Sequence, residues 1–211
     1  MFQRDYILRM IEMMGDLARR VAELMEQLEY LHQLDDASRL HCGLPLNALE
    51  SLSADSLKDM LGPESRLYAS ELLYLRAVEG RAVWEERQDF LLKSLRLLAS
   101  LEEESILCEI RAPRMKELKA ECLPMLTGED FLACARFYEE AELYDEMEDA
   151  LFQAVEGTAE ASERALRVRL GCGMLEKASR AGEKALTLCG MTAQELMDAA
   201  QDLRRMGVEG K

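Results

Sequence analysis

Catalysis and metal binding near neutral pH draw heavily on His and Cys, and the chain holds two of the first and six of the second. Glu29 and His32 stand three residues apart, which puts a carboxylate and an imidazole on one helical face, as each half of a carboxylate-bridged di-metal bundle requires. Such a centre needs a second Glu-x-x-His pair, and His41 has Ser38 at the matching position. The two side chains therefore read as the solvated end of a helix, and no metal or cofactor is expected. Cys42, Cys108, Cys122, Cys134, Cys172 and Cys189 are scattered without any Cys-x-x-Cys, most of them on apolar helical faces. They read as free, buried thiols of a reducing compartment. The chain has no Gly-x-Gly-x-x-Gly, phosphate loop or Gly-x-Ser-x-Gly; Gly171-Cys172-Gly173 is a pair of glycines inside a helical pattern. Nothing in the sequence pairs a nucleophile with a base, so the chain reads as a non-enzyme.

What the chain does carry is charge. Its 41 acidic and 26 basic residues give a net charge of −15, which repels phosphate backbones and removes nucleic acid from the expected partners. From Phe137 to Glu163 there are ten acidic residues and no Lys or Arg. That run is either a solvated outer face or a surface that recognises a basic segment.

The elements that must present these residues are helices. Leu, Ala, Glu, Met and Arg dominate, aromatics are only 6%, and four prolines with few Val, Ile or Thr runs leave no place for a sheet, so the expected class is all-α. A chain of 211 residues can bury a core without disulfides. No run approaches the ~18 apolar residues of a membrane span, and the charged first residues do not resemble a secretory leader, so a cytoplasmic protein away from membranes is expected.

Along the chain, Ile7, Met10, Met14, Leu17, Val21, Leu24, Leu28 and Leu31 alternate spacings of three and four, a heptad seam that Ile11, Ala18 and Met25 widen. This long N-terminal helix, 1–36, is expected to break after Asp35-Asp36, and its seam packs either on a core or on a second copy of the chain. A connector, 37–63, holds the turn signal Gly43-Leu44-Pro45 and a short helix capped by Ser53 that stops at Gly62-Pro63. Residues 64–211 read as a helical domain, alone or continuous with the rest. Helices are expected over 64–79 and 82–101, then one with Pro113 as a kink or restart that Leu123-Pro124 and Thr127-Gly128 end, a helical pair at 131–154, a helix over 159–179, and a last one opened by the capping box Thr192-Glu195.

The pair at 131–154 is the most regular stretch. Phe131, Cys134, Ala135 and Tyr138 share one face of the first helix, Met147, Leu151 and Ala154 one face of the second, and Tyr144 stands at the turn. These residues at these separations resemble the tetratricopeptide repeat. Met147 stands where that family has Ala, Glu142 where its turn has Gly, and no Pro follows near Ala159. A looser second copy can be laid on 75–98, with Trp84, Leu91 and Ser94 in the slots of Tyr144, Leu151 and Ala154. The resemblance implies an irregular α-solenoid of helical hairpins that binds proteins or peptides. It also implies a groove lined by the first helix of each hairpin, with Leu132, Arg136, Glu139 and Glu140 exposed along it. Clamp-type members carry Lys and Asn there; this chain does not, so a basic or apolar ligand segment is expected. More broadly, Asp5-Tyr-Ile-Leu-Arg-Met-Ile-Glu12, Glu104-Ser-Ile-Leu107 and the stretch from Phe137 to Phe152 are similar to a family of uncharacterised bacterial all-helical proteins, which implies a fold and no activity.

Overall fold

The computed structural model describes residues 25–78, 83–101 and 105–209, and over these the protein is all-helical, with no strand. The first helix, α1, is described over 25–42. It runs past Asp35-Asp36, where the sequence suggests a break. Asp35 stays in the helix because its carboxylate accepts from Arg39 Nε one turn on (2.7 Å) and from the Leu46 N–H that opens the next helix (2.7 Å). Gly43, at φ +68°, ends α1 by the left-handed turn that glycine adopts cheaply.

Two short helices follow, α2 (Leu46–Ser51) and α3 (Ala54–Met60). The second is capped as its sequence suggests, Ser53 Oγ accepting from the Ser56 N–H at 3.1 Å. The connector thus carries one more helix than its turn residues signal. Next come α4 (Pro63–Val78) and α5 (Trp84–Ala99). Arg66 near the start of α4 donates to Ser100 O beyond the end of α5, so the two run antiparallel. Midway, Ser70 and Ser94 exchange hydroxyl-to-carbonyl bonds of 2.9 Å in a fully buried site. Small side chains let the helices come close there, and the reciprocal bonds satisfy polar groups that burial would otherwise penalise. Trp84 is exposed and does not wedge the turn as the looser repeat alignment places it, whereas Leu91 and Ser94 are buried.

Helix α6 (Ser105–Cys122) continues through Pro113 as one helix and runs into a single 3₁₀ turn, Leu123–Met125. Thr127 and Gly128, which read as the end of that helix, in fact begin the next, α7 (Gly128–Glu140). A short turn leads into α8 (Tyr144–Glu156), and α9 (Ala161–Ala178), α10 (Glu183–Leu188) and α11 (Ala193–Glu209) complete the order. The expected capping box opens α11: the Glu195 carboxylate accepts from the Thr192 N–H (2.7 Å) and Thr192 Oγ1 accepts from the Glu195 N–H (3.2 Å). Helix α10 has no periodic signal long enough to be read from sequence.

The most extensive helix contacts are α4 with α5, α7 with α8 and α9 with α11, while α6 lies between the first two pairs and α8 touches both helices of the last. One buried apolar cluster runs through all of them, from Leu34 to Leu203.

The two glycines of α9 have different reasons to be there. A Cβ on Gly171 would lie 2.6 Å from Leu203 Cδ2 and 3.3 Å from Leu151 Cδ2, so this glycine sets the distance of α9 from α8 and α11. Gly173 faces open space. Gly171→Ala is therefore expected to lower stability by about 1 kcal/mol, overpacking outweighing the gain in helix propensity, and Gly173→Ala to raise it by about 0.5–1 kcal/mol. Urea unfolding of both variants checks this; shifts of the same sign would refute the close approach.

Candidate interaction surface

Helix α7 is set in place by its first turn. Thr127 is the N-cap: its hydroxyl accepts from the Asp130 N–H (3.3 Å), while Asp130 Oδ2 accepts from the Thr127 N–H (3.0 Å) and hydroxyl (2.8 Å). The same carboxylate takes a two-pronged bond from Arg96 of α5, Nε to Oδ1 at 2.7 Å and Nη2 to Oδ2 at 3.0 Å. Burial raises the carboxyl pKa, but Arg96 and Thr127 together hold it below the usual carboxylate value. Asp130 thus ties the start of α7 to α5. The sequence contains the cap signal Thr-x-x-Asp, yet Gly128 inside it reads as a helix stop.

The face of α7 toward α8 is the one its spacing marks. Phe131, Cys134, Ala135 and Tyr138 are buried, as are Tyr144, Met147, Leu151 and Ala154 across from them. Met147 is fully buried where the repeat pattern has Ala. Glu142 occupies the turn at φ 54°, the one positive-φ residue other than glycine among those described, a conformation that costs an L-residue roughly 1 kcal/mol more than glycine.

The opposite face carries the four residues placed along a groove. Leu132 is not exposed there: it is 9% accessible, because α5 packs across α7 and makes Leu132 part of the lining of a cavity of about 570 Å³ that Arg96 and Arg136 also line. Arg136, Glu139 and Glu140 line a second depression of about 230 Å³ with Leu170 and Met174 of α9. Glu139 is mostly covered and pairs with Lys177 of α9 at 3.0 Å.

That pair is part of a wider pattern. The acidic run has no cation of its own before Arg164, but other helices supply several: Lys116 and Lys119 of α6 reach Glu146 at 3.1 and 2.8 Å, and Lys177 reaches Glu139. Burial of Glu146 is outweighed by its two lysines, which hold its carboxyl below the usual value. Glu142, Asp149, Glu156, Glu160 and Glu163 remain exposed.

The other residues that could have carried chemistry lie apart. His32 is exposed, 3.8 Å from Asp36, and His41 stacks on Tyr68 with ring centroids 4.1 Å apart. Among the described residues no three His, Cys, Asp or Glu side chains converge on a metal-sized site. None of the six thiols is in a disulfide, and five of them are buried; burial pushes Cys42 up to about 11 and Cys122 and Cys134 to about 12, far from a reactive thiolate. Of the heptad seam, Ile7, Met10, Met14, Leu17, Val21 and Leu24 lie outside the described residues. Its visible end divides: Leu31 packs against the core, whereas Met25 and Leu28 are 62% and 60% exposed. No described helix is long and apolar enough to cross a membrane. Compared with family models, curated proteins and solved structures, the chain has no match, so the reading of this surface rests on its own geometry.

Proposed function

We propose that this protein is a non-enzymatic interaction or scaffold protein of the cytoplasm, an irregular solenoid of tetratricopeptide-like hairpins that holds a protein or peptide segment along the outer face of α7. The observation that carries the reading is the run of Leu132, Arg136, Glu139 and Glu140 along successive depressions on one helix, between α5 on one side and α9 on the other. Concave, mixed apolar and charged surfaces on stacked helix pairs suit extended segments better than small molecules. The net charge of −15 disfavours nucleic acid and favours a segment with basic or apolar side chains. Capture from cell extract with wild type and with the double reversal Glu139→Lys/Glu140→Lys tests this. Loss of one or more wild-type partners is expected, and an identical partner set for both would sink a groove on α7.

A second reading, self-association through the N-terminal seam, is favoured by the exposure of Met25 and Leu28 at its described end. It predicts a dimer by light scattering that Leu28→Glu disperses; a monomer at micromolar concentration would dispose of it.

A further inference from the structure

Beside the α7–α8 turn lies a cleft of about 750 Å³, bounded by the start of α6, the turn itself and the segment that joins α9 to α10. Two apolar side chains stand at its edge almost fully in water, Ile106 of α6 at 72% and Leu188 of α10 at 79% exposure. One turn along α6, Ile110 shows the same face at 62%. Leu and Ile side chains this exposed, from two helices that meet at one concavity, mark a surface that gains by being covered.

Around them the charge is one-sided. Glu109, Glu139, Glu140 and Glu142 line the cleft against two cations, Lys177 and Arg180, and Lys177 is already within 3.0 Å of Glu139. Burial first, then Glu142, Cys189, Glu139 and Glu140, push the hydroxyl of Tyr144 above its ordinary value. An acidic or neutral apolar partner would bring carboxylates or nothing to a lining of four carboxylates and two cations, whereas Lys or Arg on a partner would bring the charge of opposite sign.

We infer that this cleft docks a basic amphipathic helix, with apolar side chains on one face seated over Ile106, Ile110 and Leu188 and its Lys or Arg residues against Glu109 and Glu142. The inference rests on the reading of the protein as an interaction module, but its anchors, Ile106, Ile110, Leu188, Glu109 and Glu142, lie outside the groove of Leu132, Arg136, Glu139 and Glu140 on α7. A helix places anchors at i, i+3 and i+4 on one stripe and charges beside it, which matches an apolar strip with an acidic border.

The test uses the full chain and a fluorescent synthetic peptide of Leu and Lys, about 15 residues or four turns, with Leu at helical spacing. A second peptide has the same composition with the Leu order shuffled, so that only its amphipathic face is lost. Anisotropy titration is expected to show micromolar binding of the first peptide and about tenfold weaker binding of the second. Ile106→Asp with Leu188→Asp, and separately Glu109→Lys with Glu142→Lys, should each weaken the first peptide about tenfold. Leu40→Asp, at an apolar residue exposed on α1 outside the cleft, should leave it unchanged. Circular dichroism confirms that each variant is folded, and Ile106→Ser with Leu188→Ser replaces the Asp pair if it is not. Equal binding of the shuffled peptide would show bulk attraction to an acidic protein and overturn the proposal. So would loss of binding in Leu40→Asp, or a dimer by light scattering that the Ile106 and Leu188 substitutions disperse, since the face would then belong to a second copy. If the cleft substitutions abolish peptide binding while the groove reversals leave extract partners unchanged, the cleft stands and the groove falls.

Discussion

Asp130→Ala is expected to destabilise the protein by about 3 kcal/mol, a fall of roughly 10 °C in Tm for a chain of this size. The carboxylate is only 6% exposed and closes two structures at once, the cap of α7 and the bond to Arg96 of α5. Removing it frees the first N–H groups of α7 and takes from the Arg96 guanidinium, about one third exposed, the carboxylate it donates to. That partial exposure lets water solvate Arg96, which keeps the cost toward the lower end of what a broken buried pair brings. The effect should also depend on pH. Because the folded carboxyl is held below its unfolded value of about 4, its contribution is fully present above that value and is lost as pH falls through the folded one. The stability gap between wild type and Asp130→Asn should therefore shrink on acidification below about pH 4. A gap that stays constant to low pH, or an Ala variant within about 0.5 kcal/mol of wild type, would show that Asp130 ties nothing together.

Asp130 also shows where the sequence stops being legible. The local patterns that depend on neighbours three and four apart are all readable: the faces of α7 and α8, the Ser53 cap, the Thr192 to Glu195 box, the extents of α4 and α5 to within two residues. Signals that one residue type can send in two ways fail. Gly128 and Asp35-Asp36 both read as breaks, yet one sits in the first turn of a helix and the other is held inside one by Arg39 and by the start of α2. Long-range facts are invisible. The alignment that places Leu132 in an open groove cannot foresee α5 lying across it, nor that lysines of α6 and α9 partly neutralise an acidic run with no cations in its middle. The cleft at Ile106 and Leu188 joins residues 82 positions apart on helices of which one, α10, gives no periodic signal, so the apolar pair could be found only in three dimensions.

Tyr138 separates packing from polarity within a single side chain. The ring is fully buried between α7 and its neighbours, edge-on to Phe137 with centroids 6.0 Å apart, and the Lys119 ammonium of α6 lies 5.3 Å from its centre. Tyr138→Ala should cost about 3–5 kcal/mol, the range for a large aromatic truncated in a core that cannot collapse around the gap. Its hydroxyl has no hydrogen-bond partner among the described residues. A buried donor left unmade costs about 1–3 kcal/mol, so Tyr138→Phe should keep the packing, remove that penalty and raise stability by about 1 kcal/mol. Chemical unfolding of the two variants side by side decides both points. An Ala variant that loses under about 1 kcal/mol would mean that the ring is not a core residue and that α7 and α8 do not pack through it. A Phe variant that loses more than that would mean that the hydroxyl is bonded, with water the one partner small enough to reach it, and that the interior between α6, α7 and α8 is wet. The combination expected here, a large loss on truncation and a gain on dehydroxylation, occurs only if the hairpin is held by dry packing alone.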